Sequence, residues 1–515
     1  MATDRPVPEF EKSDPWTRRA SEAENDGKTL DPDSAPTVGG AAHPTEYLAS
    51  RLLVSTLVDV AEAKRVLDDA ADTFHWDVVE DPDFPPITID ESDDERGSRT
   101  RRYPWATGPL GLVRFLIVAR DDARARPPDA WTLLQTVRAI EPTNEVLNGI
   151  GLDHVLSAEP HTRSAPHTRS APHTRSASEE VDRYADPGFG GRQPVTFVGP
   201  PPPRGEIAKG ARRVSVGVVD TGCGDHRWFG PLNAGPGPKH SGATGVFDGT
   251  YIDPSHGPLG DDDADSDPES VGDVSGPLDG ELDSCAGHGT FIVGLIKQVA
   301  PAADIWWWRI VESDGTVPES TLVTSLLRIA RALRDEKHEL VLDVLNLSFG
   351  YYHETPEDGR FDPTLYEILA SIGRTGTVVV CAAGNDATAR PMFPAAFAPW
   401  SDGTSVVRLD LGSTAIVSVG ALNPNRRTDA LFSNAGPWVT AHATGTSLVS
   451  TMPAFQGGLQ PPARVRAYGR DREALDPDDF RGGFGVWSGT SFAAPVHAAK
   501  LARRLGDARG ESTPH

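Results

Sequence analysis

The chain is organised around the segment Gly485-Val486-Trp487-Ser488-Gly489-Thr490-Ser491-Phe492-Ala493-Ala494-Pro495. Small and apolar residues follow Ser491, which is typical of a buried helix. Gly489 allows a sharp turn and a close approach to a substrate. The N–H groups at a helix start favour negative charge, so a serine there can be a nucleophile beside a developing oxyanion. A serine that only caps its helix explains the same pattern, and a nucleophile needs a base and an orienting acid elsewhere.

Apolar runs of strand length alternate with helical patterns from about residue 206 to residue 508. The strongest runs lie at 214–220, 305–311, 340–349, 377–383 and 415–422. Near-continuous apolar strands separated by helices predict a parallel sheet that is covered by helices on both faces, which is an α/β fold.

Three polar residues stand where such a sheet gathers its functional groups. Asp220 ends the first strand, Asn385 follows the fourth strand, and His288 directly precedes an apolar helix. Each one alone is explained by a turn or a helix start. Ligand and catalytic groups of open α/β sheets cluster at the carboxyl ends of the strands, so the three together indicate a site.

Together with Ser491, these segments resemble the subtilisin-like serine proteases, the subtilases. The resemblance rests on Val218-Val219-Asp220-Thr221-Gly222, Gly287-His288-Gly289-Thr290 and Gly489-Thr490-Ser491-Phe492-Ala493-Ala494-Pro495, in the order Asp, His, Ser. It covers about residues 210–503. It implies a subtilisin-like three-layer fold with a mostly parallel central sheet.

The resemblance implies a role for each matching residue. Ser491 would attack the scissile carbonyl, His288 would transfer the proton, and Asp220 would orient the imidazole. The side-chain amide of Asn385 and the backbone N–H of Ser491 would hold the oxyanion.

The resemblance also implies a cleft in which the substrate adds as a strand. One rim would be Ser348-Phe349-Gly350 and the other Gly315-Thr316-Val317, where subtilases usually have more glycine. Ala383 and Gly384 would line the specificity pocket together with the first rim, and these small side chains leave room for a substrate side chain.

Residues 41–158 predict a small α+β domain. Their strand and helix patterns follow the ferredoxin-like order strand-helix-strand-strand-helix-strand, interrupted by a charged loop at 90–102. Subtilase propeptides have a similar order, so the domain is interpreted as a propeptide-like folding aid and intramolecular inhibitor. The alternative is a permanent regulatory domain.

The remaining segments are predicted to contain little packed structure. Residues 1–40 are polar and predicted to be disordered, and residues 509–515 are expected to fray. Residues 159–205 contain His-Thr-Arg-Ser-Ala-Pro three times in succession, which predicts an extended linker in which cleavage would occur.

Composition limits the classes of function. A formal net charge of −25 over 515 residues argues against nonspecific binding to nucleic acid or anionic membranes. The chain shows neither a secretory signal nor an apolar run of membrane-spanning length, which predicts a cytoplasmic protein. Three cysteines do not make a disulfide framework. Reduced thiols are favoured over a bond between Cys223 and Cys285.

No cofactor or metal is predicted. The acidic run at 261–267 is interpreted as a solvated loop, because it lacks a regular ligand spacing; a calcium site is the alternative.

The sequence as a whole predicts a serine endopeptidase that acts on polypeptides through an acyl-enzyme and is kept latent by residues 41–158. The alternative function is a catalytically silent scaffold that binds peptides in the same cleft. The intact set Asp220, His288, Asn385 and Ser491 favours the enzyme, because only catalysis requires all four.

Overall fold

The computed structural model describes residues 27–32, 37–38, 41–121, 124–158, 181, 183–196, 198–205, 212–229, 267–276, 278–335, 340–355, 363–401, 406–407, 410, 412–458 and 461–510. The hexapeptide repeat, nearly all of the acidic run and residues 511–515 lie outside the described residues, so the predictions for them stay predictions.

An antiparallel sheet forms the N-terminal part. Its strands are β1 Lys28–Thr29, β2 Glu46–Ser55, β3 Trp76–Glu80, β4 Ile87–Ile89, β5 Leu110–Ala119 and β6 Ile150–Ser157. Its helices are α1 Val60–Ala71, α2 Asp93–Arg102 and α3 Ala130–Ile140. The strand order is β6-β2-β5-β3, with β1 beside β2 and β4 beside β5. Alternate residues of β2 and β5, such as Val54 and Phe115, pack against α1 and α3 on one face.

Two predictions for this part are wrong in detail. Most of the predicted loop at 90–102 is helix α2, which begins at Asp93, and Ser92 and Glu95 make a reciprocal capping box at its start. Residues 1–40 are not disordered throughout, because β1 pairs with β2 and Leu30 is only 2% exposed. A polar segment gains order here because a neighbouring strand satisfies its backbone and the domain core accepts one leucine.

The central sheet is parallel, as the alternating pattern predicted. Its order is β16-β15-β12-β11-β8-β9, and every neighbouring pair runs parallel. The strands of this part are β7 Gln193–Val195, β8 Ser215–Asp220, β9 Asp304–Arg309, β10 Thr316–Pro318, β11 Val344–Leu347, β12 Val378–Ala382, β13 Trp400–Ser401, β14 Val406–Val407, β15 Val417–Leu422, β16 Ala441–Thr444, β17 Leu448–Thr451, β18 Arg464–Ala467, β19 Arg470–Glu473 and β20 Phe484–Trp487.

Helices cover both faces of the central sheet, which completes three layers. They are α4 His288–Val299, α5 Glu319–Arg334, α6 Pro363–Arg374 and α7 Thr490–Ala508. Val218 of β8 lies in the core cluster with α4 and α7, whereas its neighbour Val219 lies in the cluster with α5 and α6. The strand is apolar throughout because both of its faces are buried.

The N-terminal sheet packs on the outside of α5 and α6. Leu53 of β2 and Leu112 of β5 share a core cluster with Leu322 of α5 and Leu365 of α6. At its edge, β6 pairs antiparallel with β10, so one continuous sheet joins the two parts of the chain.

The predicted linker at 159–205 is not extended throughout. Its later part includes β7, which pairs with β20 just before the Ser491 segment. Arg192 donates hydrogen bonds to the carbonyl oxygens of Leu282 at 2.6 Å and Asp283 at 2.7 Å. This half of the segment is part of the packed domain, because its backbone completes a sheet and its arginine satisfies loop carbonyls.

Candidate active site

Asp220 and His288 form a buried pair. Asp220 ends β8 and His288 begins α4, and Nδ1 of the histidine lies 2.7 Å from Oδ1 of the aspartate. Both side chains are fully buried. Gly289 makes the approach feasible, because a Cβ atom there would lie 2.1 Å from the carbonyl oxygen of Gly222. The sequence predicted both residues, and the structure brings them together.

Glu269 lies behind this pair, at a position that no motif in the sequence marks. One carboxylate oxygen accepts from Thr221 Oγ1 at 2.5 Å and Gly289 N at 3.1 Å, and the other accepts from Thr290 Oγ1 at 2.5 Å. The residue before α4, Gly287, has no side chain with which to cap the helix, so Glu269 supplies the cap from a distant loop. Burial raises the pKa of Glu269 to about 7 despite the two threonine hydroxyls that favour its charge.

Ser491 is the second residue of α7, at the helix start that the sequence predicted. Pro495 lies four residues further along the helix and has no N–H for the Ser491 carbonyl. Ser348 Oγ takes that place and donates to the Ser491 carbonyl oxygen at 2.9 Å. Gly489 is extended, with φ 164° and ψ 155°, so the segment enters the helix without the sharp turn that the sequence suggested.

The hydroxyl of Ser491 faces the end of β6. Its Oγ donates to the carbonyl oxygen of Ala158 at 3.5 Å, and the N–H of Ala158 donates to Gly315 O at 2.8 Å. Nε2 of His288 is buried and has no hydrogen-bond partner among the described residues. The imidazole lies against the aromatic rings of Trp487 and Phe492, which exclude water from that side.

Asn385 lies beside the start of α7. Its Oδ1 accepts from the backbone N–H of Thr490 at 2.8 Å and from Thr490 Oγ1 at 2.9 Å. The oxygen of the amide is therefore anchored on Thr490, and the amide nitrogen, which carries the two donors, lies at the other end. Thr490 Oγ1 also accepts from Gly384 N at 3.0 Å, so this one hydroxyl ties the loop after β12 to the serine segment. No pattern in the sequence predicted this role of Thr490.

The two predicted rims flank β6. Ser157 exchanges backbone hydrogen bonds with Gly350, at 2.9 and 3.0 Å, and pairs with Thr316 of β10 on the other side. Phe349 is buried beneath the first rim. The chain's own strand thus lies where the sequence predicted an added substrate strand.

Ala383 and Gly384 directly follow the carboxyl end of β12, just before Asn385. Ala383 is fully buried. Gly384 has φ +100°, and a Cβ atom there would lie 2.3 Å from Asn434 Nδ2, so the position requires glycine.

The three cysteines are buried in the described structure. They are Cys223, Cys285 and Cys381, and they form no disulfide. Within the described ranges, no three His, Cys, Asp or Glu side chains are grouped so that they could hold a metal ion. No helix in those ranges combines the length and the apolar character needed to cross a membrane.

Several solved structures are similar to the chain at low identity. A cold-adapted subtilisin-like serine proteinase is 21% identical, with 58% of this chain and 77% of that chain covered and a TM-score of 0.34. Fervidolysin from Fervidobacterium pennivorans, a keratinolytic enzyme related to subtilisin, is 16% identical, with 95% and 60% covered and a TM-score of 0.43. A protease from Pseudoalteromonas arctica is 22% identical, with 58% and 79% covered and a TM-score of 0.35.

The family assignment comes from a different comparison. A sequence model of the subtilase family matches residues 211–515, which is more than half of the chain. The matched range contains β8, α4 and α7, the elements that position Asp220, His288 and Ser491. The chain therefore belongs to the subtilase family and is a subtilisin-like serine peptidase.

Proposed function

We propose that the chain is a serine endopeptidase that uses Asp220, His288 and Ser491 as its catalytic triad and is held latent by its own N-terminal domain. The observation that carries this proposal is the position of Ala158, whose carbonyl oxygen lies 3.5 Å from Ser491 Oγ while β6 occupies the cleft.

The proposed reaction begins with attack of Ser491 Oγ on the carbonyl carbon of the residue before the scissile bond. His288 Nε2 takes the hydroxyl proton and then gives it to the leaving amine, which leaves an acyl-enzyme ester on Ser491. A water molecule then attacks the ester while His288 takes its proton, and His288 returns the proton to Ser491 as the acid product leaves. Asp220 holds the Nδ1 proton of His288 throughout, for which its 2.7 Å contact is suited.

The oxyanion of each tetrahedral intermediate would be held by two donors. We assign one to the backbone N–H of Ser491, at the start of α7, and the other to the side-chain amide of Asn385. The anchoring of Asn385 Oδ1 on Thr490 supports this, because a donor that is already oriented needs no rearrangement as charge develops. Removing such a donor lowers the rate by roughly 10²–10³.

Latency would follow from the way the N-terminal domain holds β6. Asp153 accepts from the backbone N–H of Ser320 at 2.9 Å and from its Oγ at 2.8 Å, and thereby caps α5. Ala158 is then the residue before the scissile bond, and self-cleavage would break the bond between Ala158 and Glu159. The domain would remain bound after cleavage as an inhibitor until it is degraded.

Intact mass measurement of the full chain tests the proposal. Wild type is expected to yield a fragment that ends at Ala158 and to digest an unfolded protein substrate, whereas Ser491→Ala stays whole and inactive. Ser401→Ala is the matched control, since Ser401 is an exposed serine of the same domain, and it should behave as wild type.

A mixing experiment separates cleavage within one molecule from cleavage of one molecule by another. Full-length Ser491→Ala incubated with processed wild type reports cleavage between molecules. If wild type stays whole and digests nothing, the proposed self-cleavage at Ala158 is wrong, and peptide binding without cleavage becomes the function to measure. If it digests protein but is cut at another bond, only the proposed register of β6 is wrong.

A further inference from the structure

A cluster of buried ionisable side chains lies away from the triad, around His154 of β6, four residues before Ala158. Nδ1 of His154 is 2.5 Å from Glu319 Oε2, and its Nε2 is 2.9 Å from Glu354 Oε2. The three side chains are 3%, 1% and 2% exposed. A histidine that bonds a carboxylate through each ring nitrogen donates from both, so His154 is an imidazolium. Burial lowers the pKa of His154, but the two carboxylates outweigh it and raise the pKa to about 10.

The two carboxylates belong to the peptidase domain, whereas the cation belongs to the N-terminal domain. Tyr351 donates to Glu319 Oε1 at 3.3 Å, and its ring stacks on His154 at 4.4 Å between centroids. His353 Nδ1 lies 3.5 Å from Glu354 Oε2. Departure of the N-terminal domain would remove His154 and leave both glutamates and the tyrosine ring in place.

The cluster continues the substrate cleft. Pro318 of β10 pairs with Val155, and Glu319 is the next residue of that rim. Gly350 pairs with Ser157 on the opposite rim, and Glu354 follows it four residues later. Counting back from Ala158 as the residue before the scissile bond, His154 is the fifth residue upstream. A substrate strand in the register of β6 would place its own fifth residue between the two carboxylates.

We propose that Glu319 and Glu354 form an acidic subsite that selects polypeptide substrates with a basic side chain at the fifth residue upstream of the scissile bond. The proposal rests on the proposed protease function and adds a substrate class to it. A lysine or arginine restores the charge pairing that His154 provides, whereas a neutral residue leaves the two carboxylates without a cation between them and an acidic one adds repulsion. A charge-assisted contact of this kind corresponds to a preference of about tenfold or more.

Three peptides that span residues 150–163 test the subsite. They differ only at the position of His154, which carries lysine, glutamine or glutamate, and kcat/KM is measured with processed enzyme. Wild type should cleave the lysine peptide about tenfold faster than the glutamine peptide and the glutamate peptide most slowly. A variant with both Glu319→Gln and Glu354→Gln should cleave the lysine and glutamine peptides at equal rates.

Glu281→Gln, which changes an exposed acid of the same domain, should keep the wild-type preference. Equal rates for all three peptides with an active wild type would overturn the subsite and leave the protease intact. Absence of any cleavage is instead a failure of the protease function, and a measurement without catalysis then decides the subsite.

That second measurement is thermal unfolding of the full chain in a Ser491→Ala background. His154→Lys should keep the unfolding midpoint close to that of the parent, and His154→Gln should lower it by roughly 2–4 °C or more. The difference should vanish when Glu319 and Glu354 are both glutamine. If His154→Lys lowers the midpoint as much as His154→Gln, the site does not accept a general cation and the proposal is wrong.

Discussion

Replacing Glu269 by glutamine offers a sharp test of the structure around the triad, because the effect depends on pH in a way that only this environment predicts. The carboxylate is buried and accepts from two threonine hydroxyls and the N–H of Gly289. Burial raises its pKa from 4.5 to about 7. At 1.36 kcal/mol for each pH unit, this gap corresponds to about 3 kcal/mol of folding free energy.

The sign follows from proton binding. Between pH 4.5 and 7 the folded chain holds a proton on Glu269 that the unfolded chain has lost, so stability decreases as pH rises. The stabilising contribution of this group is complete below pH 4.5 and is lost as pH rises through about 7. Glutamine stays neutral at every pH, so a chain with glutamine at this position does not lose this contribution as pH rises. The Glu269→Gln variant should therefore gain stability relative to the parent chain between pH 5 and pH 8, by about 3 kcal/mol.

The assay is unfolding of the full chain at pH 5, 6, 7 and 8, with Ser491→Ala as the parent so that the chain cannot digest itself. The quantity of interest is the difference in unfolding free energy between Glu269→Gln and the parent. Other groups that titrate in this range contribute equally to both chains and cancel.

Glu281→Gln serves as the matched control, because it makes the same substitution at an exposed acid near the same segment. A flat difference for Glu269→Gln would refute the reasoning. It would mean that Glu269 ionises at its ordinary pH, and therefore that it is not buried against the start of α4.

Two other substitutions test contacts that hold the site together. Ser348→Ala removes the donor to the Ser491 carbonyl, which Pro495 leaves without a helix partner, so the unfolding free energy should fall by about 1–2 kcal/mol, measured by denaturation beside Ser401→Ala. Arg192→Met removes two charge-assisted bonds to the loop before His288, so stability should fall by roughly 2–3 kcal/mol and kcat/KM should fall with it. Arg183→Met, the control at an exposed arginine, should change neither stability nor kcat/KM. If Arg192→Met also changes neither, the loop before His288 does not depend on Arg192 for its position.

Local patterns in the sequence predicted five of the six strands of the central sheet, and β16 is the strand that they did not mark. The strand β8 could be predicted because both of its faces are buried, which requires a continuous apolar run. Each of the four candidate residues lies in a short motif that contains glycine and can be found without knowing the fold: Asp220, His288, Asn385 and Ser491. The structure places Asp220 against His288 at 2.7 Å and Asn385 against the segment that carries Ser491.

Helix α2 shows where the reading of local patterns was incomplete. The segment 90–102 is rich in charged residues and lacks a wide apolar face, a pattern that predicts a loop. Ser92 and Glu95 nevertheless carried a capping signal three residues apart that indicates a helix start.

Other features depend on residues that are distant in sequence, and only the tertiary structure decided them. Glu269 caps a helix that begins 19 residues later in the chain, and no spacing rule connects the two. Thr490 joins the loop of Asn385 to the serine helix. Ala158 reaches Ser491 across more than 300 residues because β6 pairs with β10. Periodicity and residue type report which side of an element is buried, but the partner of a buried polar group depends on how the elements pack.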